Sequence, residues 1–170
     1  DVVLVLHGGK SHSGWQAPLA QALRNLDPGV TVVAADRRGC GLNDRKGDLG
    51  TVQALISDVT DHVLYLKRFF KRVHLAGWCQ GCQYAAVAAS RLGSEISSLI
   101  LLTPGFFWNE RFRSVLSIAE TVVLRLIETF DLAPDRDQAF VPIPMEGTDF
   151  TLSPRWLDFI ETDELKTTRI

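Results

Sequence analysis

The chain has 170 residues, a formal net charge of −2, 46 % hydrophobic residues and 22 % charged residues. That is the composition of one ordinary globular domain, long enough to bury a real core. It lacks the basic balance of a nucleic-acid or membrane-surface binder, and no apolar run reaches the ~18 residues that span a bilayer.

Val2 to Leu6 is a continuous apolar, β-branched run, as expected of a strand buried on both faces. His7-Gly8-Gly9-Lys10 follows. Glycines directly after a buried strand let backbone N–H groups face a ligand, and they also serve as a plain strand-to-helix turn. A helix is expected from about Trp15 to Asn25, with Pro18 in its first turn and Leu19, Ala22, Leu23 and Leu26 on its buried face. Asp27-Pro28-Gly29 ends it.

Val30 to Ala35 reads as a second buried strand, ending in the loop Asp36-Arg37-Arg38-Gly39-Cys40-Gly41-Leu42-Asn43-Asp44. Asp36 is read as fixing this loop by accepting backbone and arginine hydrogen bonds, ahead of a role as catalytic acid. Cys40, between two glycines, reads as a small loop residue. Thr51 to Phe70 forms an amphipathic helix with Thr51 as N-cap. Leu55, Val59, Val63, Leu66 and Phe70 share one face, and His62, on or beside it, reads as structural. Lys67, Arg68, Lys71 and Arg72 cluster where the helix dipole favours cations.

The strand Val73–Ala76 leads into Gly77-Trp78-Cys79-Gln80-Gly81. This has the spacing of G-x-S-x-G with cysteine in place of serine. Such spacing suits a strand that enters a helix through a very tight turn, with the central side chain thrust out above the sheet. His74 reads as structural. A small-residue helix follows from Gln80 to Leu92, then a strand from Ser97 to Leu102 and the turn Thr103-Pro104-Gly105.

Strands alternating with helices imply a parallel sheet with crossover helices, with reactive groups at the carboxyl ends of the strands. His7, Asp36, Cys79 and Thr103 all lie just past those ends, on one rim. Beyond Gly105 the chain turns aromatic (Phe106-Phe107-Trp108), and Asn109 can cap an apolar helix from Phe112 to Phe130. Residues 131–148 carry Pro134, Pro142 and Pro144 and read as an irregular crossing. Ser153-Pro154 starts a last helix with Trp156, Leu157, Phe159 and Ile160. Residues 1–105 are thus expected to form a sheet core and 106–170 a helical lid over its rim, with ordinary packing helices as the alternative.

The strand with His7-Gly8-Gly9, the Asp36–Gly41 loop and the Gly77–Gly81 elbow, in that order, resemble an α/β-hydrolase. The closest resemblance is to the monoacylglycerol lipase/lysophospholipase-like branch, the serine aminopeptidase S33-type hydrolases. It covers about residues 2–105 well and the lid loosely. The resemblance implies that Cys79 is the nucleophile. It implies an oxyanion hole from the Gln80 N–H and an N–H of the Gly8–Lys10 turn, from Gly9 or Lys10, with His7, Gly8 and Asp36 supporting the rim. No cofactor or metal is implied.

The chain departs from the family pattern in three places. The nucleophile position holds cysteine, which favours thioesters, activated esters or acyl transfer. Asn43 stands where a serine usually ends the loop. All four histidines, His7, His12, His62 and His74, precede Cys79, whereas the family's acid and histidine follow the nucleophile. Glu110 lies in the lid region rather than directly after the Ser97–Leu102 strand.

The expected function is therefore an esterase, thioesterase or acyltransferase working on a small acyl substrate through an acyl-Cys79 intermediate. Its histidine and acid would come from a downstream segment or a partner. A non-catalytic acyl- or lipid-binding module is the alternative, and a redox pair of Cys79 with Cys82 is a third reading. The chain begins on a strand and stops without a closing element, so it is expected to be part of a longer protein. Three cysteines, an odd number, make no disulfide framework, and no signal peptide is visible. A reducing, cytoplasmic setting is expected.

Overall fold

The structure is a computed structural model and describes residues 1–106, 143 and 145–168. Phe107, Trp108, the helix expected after Asn109, Glu110, and the crossing as far as Pro142, with Pro144, lie outside the described residues.

Four parallel strands make one sheet in the order β2-β1-β3-β4. They are β1 (Val2–Leu6), β2 (Thr31–Ala35), β3 (Val73–Trp78) and β4 (Ser98–Leu102). Their carboxyl ends are level, since Leu6 pairs with Ala35 and with Gly77, and Trp78 pairs with Leu102. This alignment brings the loops after all four strands to one rim, as the strand order in the sequence led us to expect. The helices are α1 (Ala17–Leu26), α2 (Val52–Lys67), α3 (Gly81–Leu92) and α4 (Pro154–Thr162). None of the described helices is long and apolar enough to cross a membrane.

β1 lies inside the sheet and is buried along its whole length. Alternate residues serve two cores. Val2, Leu4 and Leu6 join α2 and α3 in the larger one, with Leu55, Val59, Val63, Leu75, Tyr84 and Ala88. Val3 and Val5 join Ala76 on the other face, against Leu19, Val30 and Val32. Side chains such as Leu4 and Leu75, both 0 % exposed, each contribute roughly 1.5–3 kcal/mol by burial. α2 starts as its sequence suggests, with Thr51 Oγ1 accepting the Ala54 N–H at 3.1 Å.

Three expectations need correction. β2 is only partly buried, because it is the edge of the described sheet. α1 has no fully buried residue; Leu19 and Leu23 are half-buried, Ala22 is exposed and Leu26 is 85 % exposed. Among the described residues no element covers the outer side of β2, so the helix beside it has less to pack against. His62 is exposed on α2, outside the buried stripe. Helix boundaries also differ slightly: a 3-10 turn, Ser13–Gln16, precedes α1, and β3 extends to Trp78.

Candidate active site

Cys79 sits between β3 and α3 with φ of +51°, in the left-handed region that few residues with a side chain adopt. Two features hold it there. Its N–H donates to Leu102 O at 3.0 Å, and its own carbonyl accepts from Cys82 N–H at 3.0 Å as α3 begins. The flanking glycines are required sterically. A Cβ on Gly77 would lie 2.6 Å from Gly81 O and 2.7 Å from Cys82 Cα. One on Gly81 would collide with Leu6 O and lie 2.7 Å from His7 O. The spacing in the sequence thus corresponds to a real elbow, with a half-buried thiol at the rim.

The loop after β1 lies against this elbow. A Cβ on Gly8 would be 3.1 Å from Cys79 Cβ, and one on Gly105 would be 3.8 Å from Cys79 Sγ. Cys79 is therefore flanked by the β1 loop on one side and the β4 loop on the other. Among the described residues, the N–H groups of Gly9, Lys10 and Gln80 donate no hydrogen bond. They are available to an incoming acceptor.

His7 is 0 % exposed. Its Nδ1–H donates to Gly8 O at 2.9 Å, and its Nε2 accepts the Arg37 N–H at 3.0 Å. Burial first, then the Arg37 charge, lowers its pKa to about 3. It is a neutral strut that joins two loops, with no nitrogen left to act as a base. Asp36 also supports its loop, as expected. Its carboxylate accepts the N–H groups of Ser13 at 2.7 Å and Leu42 at 2.9 Å. Burial works to raise its pKa, but these backbone donors outweigh it and the net shift is downward. The expected arginine bonds to Asp36 are not among its described partners. Arg37 turns to the β1 loop instead, and Arg38 forms a bidentate pair with Asp58 at 2.7 Å. Asn43 fills the usual serine position by donating to Asp36 O and Arg37 O.

His12 and His74 are also engaged away from the thiol. His12 Nδ1 accepts the Gly14 N–H at 3.0 Å, while Nε2–H donates to Asp163 Oδ2 at 3.0 Å. The Trp15 indole donates to the same oxygen at 2.6 Å. His74 is hydrogen-bonded to Ser98 Oγ across the sheet. Cys82 is 0 % exposed and its thiol donates to the backbone, 3.0 Å from Gly77 O and 3.3 Å from Leu102 O. Burial, above all, pushes its pKa up. Cys40 is fully buried in its loop.

Two features were missed in the sequence. One is Arg37, whose guanidinium reaches Gly8 O, Gly9 O and Gln80 Oε1. The adjacent arginines of the Asp36 loop were the available signal. The other is the attachment of residues 145–168 to the β1 loop. Besides the Asp163 bonds, Thr167 N–H donates to Lys10 O at 2.9 Å and Lys10 Nζ donates to Met145 O. Trp15 packs edge-on against Phe150 and Phe159.

The profile of the family described as "Serine aminopeptidase, S33" matches residues 1–168. The chain is 26 % identical over 129 residues to the monoglyceride lipase of Rattus norvegicus, covering 74 % of this chain and 42 % of that protein. Its fold matches the monoacylglycerol lipase of Paleococcus ferrophilus with a TM-score of 0.78 at 18 % identity, over 99 % of this chain and 60 % of the other. A soluble variant of the Saccharomyces cerevisiae monoglyceride lipase matches with a TM-score of 0.75 at 16 % identity, over 98 % and 54 %. The chain thus spans about two fifths of the curated relative and little over half of these solved structures. Elbow, loops and sheet all agree with these matches: the chain has the α/β-hydrolase fold and belongs to the serine aminopeptidase S33 family.

Proposed function

We propose that this chain is the nucleophile-bearing part of an acyl hydrolase or acyltransferase acting on a carboxylic ester or thioester. The observation that carries the proposal is the +51° φ of Cys79, at a glycine-flanked strand-to-helix turn on the carboxyl rim. The similarity to monoglyceride and monoacylglycerol lipases supports an ester with a fatty acyl group as the substrate class.

The Cys79 sulfur attacks the acyl carbonyl carbon and the C=O electrons move to oxygen. The N–H groups of Gln80 and of Gly9 or Lys10 receive that oxyanion. Collapse re-forms the carbonyl and breaks the bond to the leaving alkoxide or thiolate, which takes a proton. Water or another nucleophile then releases the acyl group from Cys79. The proton carrier comes from outside these 170 residues, from a downstream segment or a partner. The chain's own histidines do not fit that role: His7 and His12 have both ring nitrogens in use, His74 is bonded to Ser98 and His62 is out on α2.

A redox pair is less well supported, because a resolving thiol needs access and Cys82 is buried. The test is to treat the full-length protein with a thiol-reactive acyl probe and map the adduct by mass spectrometry. Acylation of Cys79, lost in Cys79→Ala, is the expected result. Labelling unchanged in Cys79→Ala overturns the proposal, and acyl-chain binding without any adduct favours the binding module.

A further inference from the structure

Arg37 is 8 % exposed, and its side chain joins three parts of the rim. Nη2 donates to Gly8 O at 2.8 Å and to Gly9 O at 3.2 Å. Nη1 donates to Gln80 Oε1 at 3.0 Å. The guanidinium carbon lies 5.2 Å from the centre of the Tyr84 ring on α3. Among the described residues, no carboxylate pairs with Arg37. A buried cation without a counter-charge is a poor way to gain stability alone. Three oxygens, the Cys40 sulfur at 3.8 Å from Nη2 and the ring face surround the two terminal nitrogens, while Nε has no hydrogen-bond partner among the described residues; these contacts set the geometry of what Arg37 holds.

A trans peptide is planar, and its C=O and N–H point in opposite directions. Fixing Gly8 O therefore aims the Gly9 N–H, and fixing Gly9 O aims the Lys10 N–H. These are the two candidate oxyanion donors on the β1 loop. The third anchor, Gln80, carries the candidate donor on the elbow. A single rigid fork with five N–H donors thus spans both halves of the hole, which an ammonium, with its point charge on a flexible stem, does not reproduce.

We propose that Arg37 is a positioning residue for acyl transfer at Cys79. Its guanidinium holds the 8–10 loop and Gln80 in register, so that their N–H groups converge on one carbonyl oxygen. It acts through Gly8, Gly9 and Gln80 and touches no substrate. The inference rests on the acyl-Cys79 reading given above.

The experiment compares two reactions of the same thiol in the full-length protein. One is acylation by a short-chain p-nitrophenyl ester, which builds an oxyanion. The other is alkylation by iodoacetamide, which builds none. Arg37→Met is expected to slow acylation of Cys79 by about 10²-fold, the size of a lost oxyanion-hole donor, with alkylation unchanged. Arg37→Lys is expected not to restore it. Gln80→Leu removes one anchor at a half-buried side chain; it is expected to slow acylation by about fivefold, a partial loss of the same stabilisation, and it carries the test if Arg37→Met does not fold. Acylation at the wild-type rate in these variants overturns the positioning role. So does an equal fall in both reactions, which marks a merely structural residue. A wild-type Cys79 that is alkylated but never acylated overturns the acyl-transfer reading itself, and the positioning role with it.

Discussion

The loop after β1 and the elbow approach so closely that a Cβ on Gly8 would lie 3.1 Å from Cys79 Cβ. Gly8→Ala is expected to push the thiol aside. Acylation of Cys79 should fall by about tenfold, a misplacement effect, while stability changes by less than about 1 kcal/mol. Gly81→Ala is the contrasting case, because its Cβ meets the backbone oxygens of Leu6 and His7. Backbone cannot rotate away, so a loss of about 3 kcal/mol in urea unfolding is expected. A Gly81→Ala protein as stable as wild type would contradict the close approach of β1 and α3.

The left-handed backbone of Cys79 makes a second prediction. In most positions glycine is less stabilising than alanine, by roughly 0.5–1 kcal/mol in regular structure. Here the order should reverse. The left-handed region costs a residue with a Cβ about 1–2 kcal/mol, and glycine escapes that. Cys79→Gly is expected to be about 1 kcal/mol more stable than Cys79→Ala by denaturant melting, after allowance for glycine's chain entropy. Both lack the thiol. Equal stability, or a more stable alanine variant, would show that the elbow stores no strain.

His7 sets a pH dependence. Its pKa is lowered from 6.5 to about 3 in the folded protein, so between these values the unfolded chain binds the extra proton. Stability from the neutral imidazole is complete above pH 6.5 and is lost as pH falls toward 3. The loss is on the order of 4 kcal/mol across that window, at about 1.4 kcal/mol per pH unit. Asp36 and Asp163, held below their ordinary values against the opposing effect of burial, add further loss at more acid pH. Urea unfolding at pH 7 and pH 4.5 measures the slope, and His7→Gln, which cannot titrate, should flatten it. A wild-type slope as flat as that of His7→Gln would rule out the buried neutral state.

Local steric demands were the legible part of the sequence. Gly77, Cys79 and Gly81 announce an elbow because only glycine fits where β3, α3 and β1 crowd together. Thr51 as a cap, Ser153-Pro154 as a helix start and the level rim of strand ends follow from equally local rules. Long-range side-chain choices were not legible. Arg37 bonds residues 28 to 43 positions away, and a nearest-neighbour reading assigned an arginine to Asp36 instead. The His12–Asp163 pair joins residues 151 positions apart. Leu26, which the periodicity of α1 places on its apolar face, is 85 % exposed; that periodicity does not encode which elements pack beside the helix.

Lys10 is held at both its carbonyl and its ammonium by the returning segment, the latter across 135 residues. Closing so long a loop carries an entropy cost that contacts within the sheet do not, and non-local contacts of this kind form late in folding. Synthesis proceeds from the N-terminus, so β1 to β4 and the elbow emerge well before Thr167. The elbow is therefore shaped first, and the loop beside it gains its bonds to Met145 and Thr167 only when residues 145–168 fold back. The order of the chain thus sets an order of assembly: the elbow cysteine is in place before the Lys10 loop has both of its anchors.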